Sequence, residues 1–508
     1  MLSVIESVNA AVNNFIWGVP AMICIIGVGL YLSIRTNFLQ IRKFPYAIRV
    51  TIGRMLRKRE ASDGSLTPFQ AVCTALAATV GTGNIAGVAG AIAIGGPGAV
   101  FWMWISAILG MCTKFSEVTL AVHFREKNVH GDLVGGPMYY IKNGLKKHWH
   151  WLAYLFSAFG VLTVFGTGNA TQVNTITTAI NTALMNYHVI SKDAVPTVNL
   201  VVGIILAVLI ALILLGGIRR IGQVTEKLVP FMALVYIVLA VGVILFNIGH
   251  IPAVFASIVE GAFHPAAVTG GAVGSFFMSM KKGVSRGIFS NEAGLGTGSI
   301  AHACADTRKP VKQGFFGIFE VFVDTIVICT LTGFVVIMGR MWTTDRAAEW
   351  FDMGKLDKFL ASCGELTGQS GAYQIVTFLV SICFGLFAFT CLLGMISFSE
   401  IAANRIRKDK ICINFVRCIG LFVAAFGILC NIAGLELGNL WAFSDLGNIL
   451  IVFFNVPIVY VGAKYVFRAT RHYKKNDGTP FTSEVIGRND CAYWDEQAKK
   501  VVKNFSGK

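Results

Sequence analysis

The sequence predicts an all-α, polytopic membrane protein, and three observations support this class. Of its 508 residues, 55% are hydrophobic and only 14% are charged, whereas soluble domains carry about 25% charged residues. Apolar runs of about 20 residues, enough to cross a bilayer, follow one another from residue 13 to 467. The basic residues behind the net charge of +16 cluster in alternate loops, as the positive-inside rule expects, and this argues against nucleic-acid binding.

The first predicted span, about 13–34, precedes a loop in which the stretch 35–59 carries eight positive charges. This loop is therefore predicted to be cytoplasmic and the N-terminus external. The loops 249–265 and 340–370 are predicted to be external. Ten more spans bring the predicted count to eleven, at about 67–95, 99–123, 151–184, 198–216, 228–248, 267–302, 314–339, 372–401, 413–431 and 440–466.

The ten later spans divide into two sets of five. The predicted organisation has four parts: 1–66 with the first span and basic loop, the repeats 67–248 and 267–466, and a basic cytoplasmic tail, 467–508. Because five is odd, the two repeats enter the membrane from opposite sides. Each repeat opens with its most glycine-interrupted segment, and such paired segments in inverted repeats point to a central binding site.

The first interruption is Gly81-Thr82-Gly83-Asn84, where a helix would cross the bilayer midplane. Glycine costs a helix interior about 1 kcal/mol relative to alanine, so two glycines one residue apart predict a break. Backbone groups that a break frees in hydrocarbon need partners. The break is tolerated if those groups line a cavity and hold polar cargo.

The second break is predicted at Ser279-Met280-Lys281-Lys282-Gly283. A helix N-terminus presents free N–H groups that suit a carboxylate, and the carbonyls of an opposing helix end suit an ammonium group or Na⁺. Two broken helices supply both kinds of end. The predicted cargo is therefore a small zwitterion together with a monovalent cation.

Side chains near the breaks are candidates for the cavity wall. Thr79 and Thr82 carry hydroxyl groups, a polar cluster around Gly168 in the span 151–184 includes Gln172, and three apolar side chains can form a small pocket: Phe165, Phe277 and Met280. Ordinary packing of small or polar residues between helices is the alternative for each.

Thr390, near the middle of the span 372–401, is a candidate ligand for Na⁺. Hard cations prefer about six oxygen ligands, and Thr390 is predicted to face the carbonyls near Ala78 and Gly81. The alternative is a hydroxyl group that bonds to its own helix.

Charged residues inside membrane spans are functional candidates. Lys114 and Glu117 lie three residues apart and are predicted to form an ion pair within one helix. Asp324 is a candidate for binding a cation or a proton. Four more charges flank the second predicted break: Lys281, Lys282, Arg286 and Glu292.

The sequence argues against an enzyme. It has no dinucleotide-binding fingerprint and no P-loop, and no convergent catalytic cluster. His302-x-Cys304-x-Asp306 looks like a set of metal ligands but lacks a partner cluster. A cation channel is a further alternative, and the absence of a repeated filter-like loop disfavours it.

Over about residues 10–470 the chain resembles the alanine/glycine:cation symporter family, also called sodium:alanine symporters. Three motifs carry this resemblance: Gly81-Thr82-Gly83-Asn84-Ile85-Ala86-Gly87, Gly135-Gly136-Pro137-Met138-Tyr139-Tyr140 and Ser290-Asn291-Glu292-Ala293-Gly294-Leu295-Gly296.

The resemblance implies a LeuT-type fold, Na⁺-coupled uptake of alanine or glycine, and residence in a prokaryotic plasma membrane, with proton coupling as the alternative. Na⁺ is the coupling ion, and no other cofactor is predicted. The predicted Na⁺ ligands are Ala78, Gly81 and Thr390. The full set of predicted substrate contacts, from the breaks, the walls and the resemblance, is Thr79, Gly81, Thr82, Gly83, Asn84, Phe165, Gly168, Gln172, Phe277, Ser279, Met280 and Gly283.

Overall fold

The structure is a computed structural model that describes residues 19–55, 66–129, 131–162, 170–269, 275–368, 371–432, 438–475, 479–487 and 493–499. Helices make up nearly all of the regular structure in these ranges. Two strands of two residues each, β1 Glu126–Lys127 and β2 Leu133–Val134, pair antiparallel. The predicted all-helical class is confirmed.

Eleven helices precede residue 247 in the described part of the chain: α1 Val19–Arg35, α2 Leu39–Arg42, α3 Phe44–Met55, α4 Pro68–Thr79, α5 Ala86–Gly95, α6 Gly98–His123, α7 Pro137–Gly144, α8 Trp151–Leu162, α9 Ala170–Asn186, α10 Val195–Leu214 and α11 Gly217–Phe246.

Eleven more helices follow residue 247 in the described part of the chain, and π-helical turns over Phe322–Cys329 join two of them, α16 and α17. The helices are α12 Ile251–Phe263, α13 Pro265–Thr269, α14 Phe276–Asn291, α15 Thr297–Ala303, α16 Pro310–Val321, α17 Thr330–Gly339, α18 Ala347–Asp352, α19 Lys355–Thr367, α20 Gly371–Ile406, α21 Lys410–Ile432 and α22 Gly438–Lys475.

Among the described residues, seven helices are long and apolar enough to cross a membrane, and the bent pair α4–α5 makes an eighth candidate. Each overlaps a predicted span. The count of eleven stays a prediction, because α1 has only 17 described residues and the stretches 151–184 and 267–302 contain shorter helices. The seven are Gly98–His123, Lys192–Leu214, Gly217–Phe246, Pro310–Thr343, Gly371–Ile406, Ile411–Cys430 and Leu450–Lys475.

The two segments predicted as external loops contain helices. The helix α12 lies within 249–265 and packs its buried face on α6, and α18 and α19 lie within 340–370. The prediction was based only on the small number of positive charges in these segments. That number indicates on which side of the membrane a segment lies, but not whether the segment is helical.

The helix α6 organises the core around the site. It packs against α14 and α16 and is buried along most of its length. A Cβ atom at Gly283 or Gly287 of α14 would clash with α6, at the Ala99 carbonyl and the Ser106 hydroxyl respectively. These two glycines therefore allow close contact between helices, a common use of small residues in membrane proteins.

The C-terminal tail packs against one end of α6. Trp494 is 2% exposed, and its indole nitrogen donates a hydrogen bond to the His123 carbonyl at 2.8 Å. The Arg125 guanidinium lies 4.9 Å from the Trp494 ring centroid and donates to the carbonyls of Ala305 at 2.5 Å and Thr307 at 3.1 Å. Arg125 thus links the tail to the segment that leaves α15.

The same segment pairs with the residues that precede α4. The Leu66 amide donates to the Cys304 carbonyl at 2.9 Å, and the Asp306 amide donates to the Leu66 carbonyl at 2.7 Å. The chain entering α4 and the chain leaving α15 are therefore joined on the side that the tail covers.

Replacing Trp494 by alanine should destabilise this end of the protein. Truncating a buried tryptophan costs up to about 3–5 kcal/mol, so the thermal unfolding midpoint of the detergent-solubilised protein should fall by several degrees. Trp149, 46% exposed, gives the matched control, and Trp149→Ala should leave the midpoint nearly unchanged. Equal midpoints for the two variants would contradict the packing described.

Candidate functional site

The first break lies where the sequence predicts it. The helix α4 ends at Thr79, a 3₁₀ turn covers Thr82–Asn84, and α5 begins at Ala86 with its axis bent by 59° from that of α4. The Asn84 amide oxygen accepts a hydrogen bond from the Gly81 N–H at 3.0 Å, and the Thr332 hydroxyl donates to the Asn84 carbonyl at 2.8 Å. Asn84 therefore stabilises the broken backbone.

The second break lies outside the predicted position. The helix α14 runs without interruption through 279–283, and the break follows it, at Glu292, Gly294 and Gly296, before α15 begins at Thr297. The φ angles of these three residues are 53°, 102° and 81°, in the left-handed region that glycine adopts at little cost. The prediction at 279–283 is wrong because Gly283 packs against α6 instead of ending a helix.

The carboxylate of Asp324 joins the two interrupted helices. One oxygen accepts from the Asn84 side-chain nitrogen at 2.6 Å. The other accepts from the hydroxyl groups of Ser290 at 2.8 Å and Thr325 at 2.7 Å. Asp324 is fully buried in the π-helical turns between α16 and α17. Such turns occur frequently at functional sites.

Glu117 supports the second break from α6. One of its carboxylate oxygens accepts from the Gly294 N–H at 3.0 Å and from the Asn455 side chain at 2.6 Å. The Asn455 side chain also donates to the Gly294 carbonyl at 2.8 Å and accepts from the Tyr140 hydroxyl. The break therefore has partners on both its N–H and its C=O side.

The predicted ion pair between Lys114 and Glu117 is wrong. The Lys114 ammonium lies 3.0 Å from a carboxylate oxygen of Glu320. The other oxygen of Glu320 lies 2.9 Å from His302. The packing of α16 on α6 brings Glu320 to Lys114, whereas Glu117 faces the second break. His302 thus bonds to a buried carboxylate.

A cavity of about 60 Å³ lies between the two breaks. Its walls contain backbone from the first break and polar side chains from both: Ala78, Thr79, Gly81, Thr82, Gly83, Gln172, Arg286, Phe289, Glu292, Leu295, Thr297, Cys391 and Met395.

The cavity adjoins a larger vestibule of about 640 Å³. Thr82, Gly83, Arg286 and Phe289 border both spaces. On its far side the vestibule is lined by the segment 354–357, and the basic residues on its walls include Lys281, Lys282 and Lys355. A cargo entering from this side therefore passes a positively charged entrance.

The structure brings six predicted site residues together on the cavity wall: Ala78, Thr79, Gly81, Thr82, Gly83 and Gln172. It turns the Asn84 side chain away, toward Asp324. Phe165 and Gly168 lie outside the described residues.

The four predicted contacts on α14 lie away from the cavity. Phe277 is 50% exposed, Ser279 is buried, Gly283 faces α6, and Met280 packs against the apolar cluster that includes Met22. The misplaced second break accounts for all four, because the cavity-lining residues of α14 are two to three turns further along.

Thr390 faces away from the first break. Its hydroxyl group donates to the Phe387 carbonyl at 3.2 Å and to the Met232 sulfur at 3.5 Å. The neighbouring Cys391 thiol donates to the Ala78 carbonyl at 3.4 Å. Since consecutive helical residues are rotated by about 100°, an error of one position places the side chain on a different face. The predicted contact of Thr390 with the first break is wrong.

Sequence reasoning missed the roles of Ser290, Thr297 and Cys391. The signal for Ser290 was present in the motif 290–296, whose glycines mark the real break, and Thr297 directly follows this motif. Arg286 and Glu292 were flagged as intramembrane charges, and the structure adds that both border the cavity.

Long apolar helices that enclose a small polar cavity, reached through a vestibule on one side, define a membrane transporter. The sodium:alanine symporter family matches residues 2–485. The chain belongs to this family, as its three motifs indicate.

Two relatives agree with this family, and a solved structure shares the fold. The sodium/alanine symporter AgcS of Methanococcus maripaludis is 42% identical over 332 residues, 65% of this chain and 70% of AgcS. The probable sodium/glutamine symporter GlnT of Bacillus subtilis is 35% identical over 509 residues, 100% of this chain and 96% of GlnT. A crystal structure of the Eremococcus coleocola manganese transporter matches with a TM-score of 0.50 at 12% identity, covering 89% of this chain and 97% of that one, and shows a shared fold alone.

Replacing Asp324 by alanine should disrupt the site by releasing both breaks. Each buried donor left without a partner costs about 1–3 kcal/mol, so alanine affinity measured by calorimetry should fall at least about tenfold. Asp324→Asn should have a smaller effect, because the hydroxyl groups of Ser290 and Thr325 can rotate. Asp345 is exposed, and Asp345→Ala serves as the control. Wild-type affinity in Asp324→Ala would show that this carboxylate does not hold the site together.

Proposed function

We propose that this protein couples the inward movement of Na⁺ to the uptake of a small neutral amino acid, alanine or glycine, by alternating access around the two interrupted helices. The observation that carries the proposal is the cavity of about 60 Å³, which the main chain of the first break borders. Family membership supports it.

Family membership supports alanine or glycine as the cargo. The name of the relative GlnT refers to glutamine, so competition between glycine and glutamine in the uptake assay below tests this choice of cargo.

The proposed Na⁺ site lies at the first break, where the carbonyl groups of Ala78 and Gly81 are the candidate ligands. Both residues border the cavity, so ion and cargo would share one enclosed space. Each Na⁺ that moves down a membrane potential of about 100 mV contributes about 2.3 kcal/mol. This energy supports about fifty-fold accumulation, at about 1.4 kcal/mol per tenfold.

In this proposal the protein is a LeuT-type 5+5 transporter with eleven spans, in an outward-facing state. Two observations support the outward-facing state: the vestibule is lined by 354–357, within the segment predicted to be external, and the opposite side is covered by the joined segments at Leu66 and Ala305 and by the tail. In this proposal the N-terminus is external, the C-terminus is cytoplasmic, and the protein lies in a prokaryotic plasma membrane.

The test is radiolabelled alanine uptake into proteoliposomes with an imposed Na⁺ gradient. Uptake should require Na⁺, increase with an inside-negative potential, and be inhibited by glycine more strongly than by glutamine. Liposomes without protein give the background.

Uptake that is unchanged when choline replaces Na⁺ would exclude sodium coupling. If a proton ionophore then abolishes uptake, the alternative of proton coupling is favoured. Currents that persist without alanine and do not saturate would instead indicate a cation channel.

A further inference from the structure

We infer that Arg286 and Glu292 recognise the two charged groups of the cargo, Arg286 the α-carboxylate and Glu292 the α-ammonium group. This inference rests on the proposed function and adds the residues that define the cargo as a zwitterion. The sequence alone shows both residues as charges near a break, with no indication that they share a cavity.

Arg286 and Glu292 lie at different depths of the same pathway. Both border the cavity of about 60 Å³. Arg286 also borders the vestibule, and Glu292 does not. A cargo that enters from the vestibule therefore meets the positive charge first, and its carboxylate is held at the mouth of the cavity while its ammonium group points inward.

The guanidinium group of Arg286 has a defined position. It occupies the surface that the glycines of the first break leave open, because a Cβ atom at Gly83 or Gly87 would clash with it. The guanidinium carbon also lies 4.9 Å from the centroid of the Phe289 ring. A planar guanidinium held in this way presents a fork of N–H donors that matches a carboxylate.

One carboxylate oxygen of Glu292 is available to a ligand. The residue is 5% exposed, and one carboxylate oxygen accepts from the Thr297 hydroxyl at 2.5 Å. Among the residues that the structure describes, no donor lies within hydrogen-bond distance of the other oxygen. The backbone of Glu292 is left-handed, with φ of 53°, an uncommon conformation for a residue other than glycine, and such conformations cluster at functional sites.

The two charges together explain selection for a zwitterion. A zwitterion offers an opposite charge to each residue, a carboxylate to Arg286 and an ammonium group to Glu292. An analogue that lacks either charge loses one of these two charge-assisted hydrogen-bonded contacts. Sites of this kind strongly reject analogues that lack the recognised group.

The experiment is a cycle of protein and ligand changes, in which each protein substitution is paired with removal of one ligand charge. The full-length protein in nanodiscs with Na⁺ is titrated with alanine, with alaninamide, which lacks the carboxylate, and with lactate, which lacks the ammonium group. Wild-type protein should prefer alanine to either analogue by at least about a hundredfold, as expected for charged hydrogen bonds.

The expected result is a crossed change of selectivity. In Arg286→Gln the preference for alanine over alaninamide should fall at least about tenfold, while the preference over lactate is kept. In Glu292→Gln the preference over lactate should fall and that over alaninamide should be kept. Arg286→Lys, which keeps the charge but loses the fork, should be intermediate and provides a second variant if Arg286→Gln does not fold.

Arg346 and Glu349 form an exposed ion pair, and Arg346→Gln and Glu349→Gln are the matched controls that should leave every ratio unchanged. If the substitutions at Arg286 and Glu292 weaken all three ligands by the same factor, both residues are structural and the inference is overturned. Wild-type protein that binds none of the three would overturn the proposed function as well. Binding of alanine that is independent of Na⁺ would contradict the coupling and leave the selectivity test valid.

Discussion

The arrangement of the site depends on one buried carboxylate. Asp324 accepts hydrogen bonds from Asn84 in the first break and from Ser290 at the end of α14, so one side chain fixes the distance between the two interrupted helices. Burying this charge is costly, and three donors at 2.6–2.8 Å offset the cost because charged hydrogen bonds are stronger than neutral ones.

Each break is completed by residues from elsewhere in the fold. Asn84 and Thr332 bond to the backbone of the first break, and Glu117 and Asn455 bond to that of the second. Irregular backbone inside a membrane needs such partners or a polar cavity. In this protein the irregular backbone has hydrogen-bond partners and also borders a polar cavity. The cavity can therefore accept a cargo while the other backbone groups of the breaks keep their hydrogen bonds.

The sequence was sufficient where a local signal decides the structure. The glycine pair at 81 and 83 weakens a helix, and the first break lies at this pair. At 279–283 the prediction from a single glycine failed, because a glycine that packs against α6 and a glycine that ends a helix look alike in sequence. Whether a glycine packs against a helix or ends one depends on the side chains of the neighbouring helix.

Contacts between helices were also hard to predict, because they depend on how neighbouring helices are oriented. The partner of Lys114 is Glu320 and not Glu117, and the residue that faces Ala78 is Cys391 and not Thr390. Both errors come from the rotation of a helix about its axis, which a single sequence does not specify. Gln172 does border the cavity, because polar side chains in an apolar span avoid the cost of desolvation only where they face polar surroundings.

A cryo-EM map of the protein with Na⁺ and alanine tests the central claim most directly. The account predicts density for alanine between the first break at 81–83 and the second at 292–297, with Asp324 in contact with both interrupted helices. Density for alanine between α6 and the N-terminal half of α14, near 277–283, or an unbroken helix through either break, would contradict it.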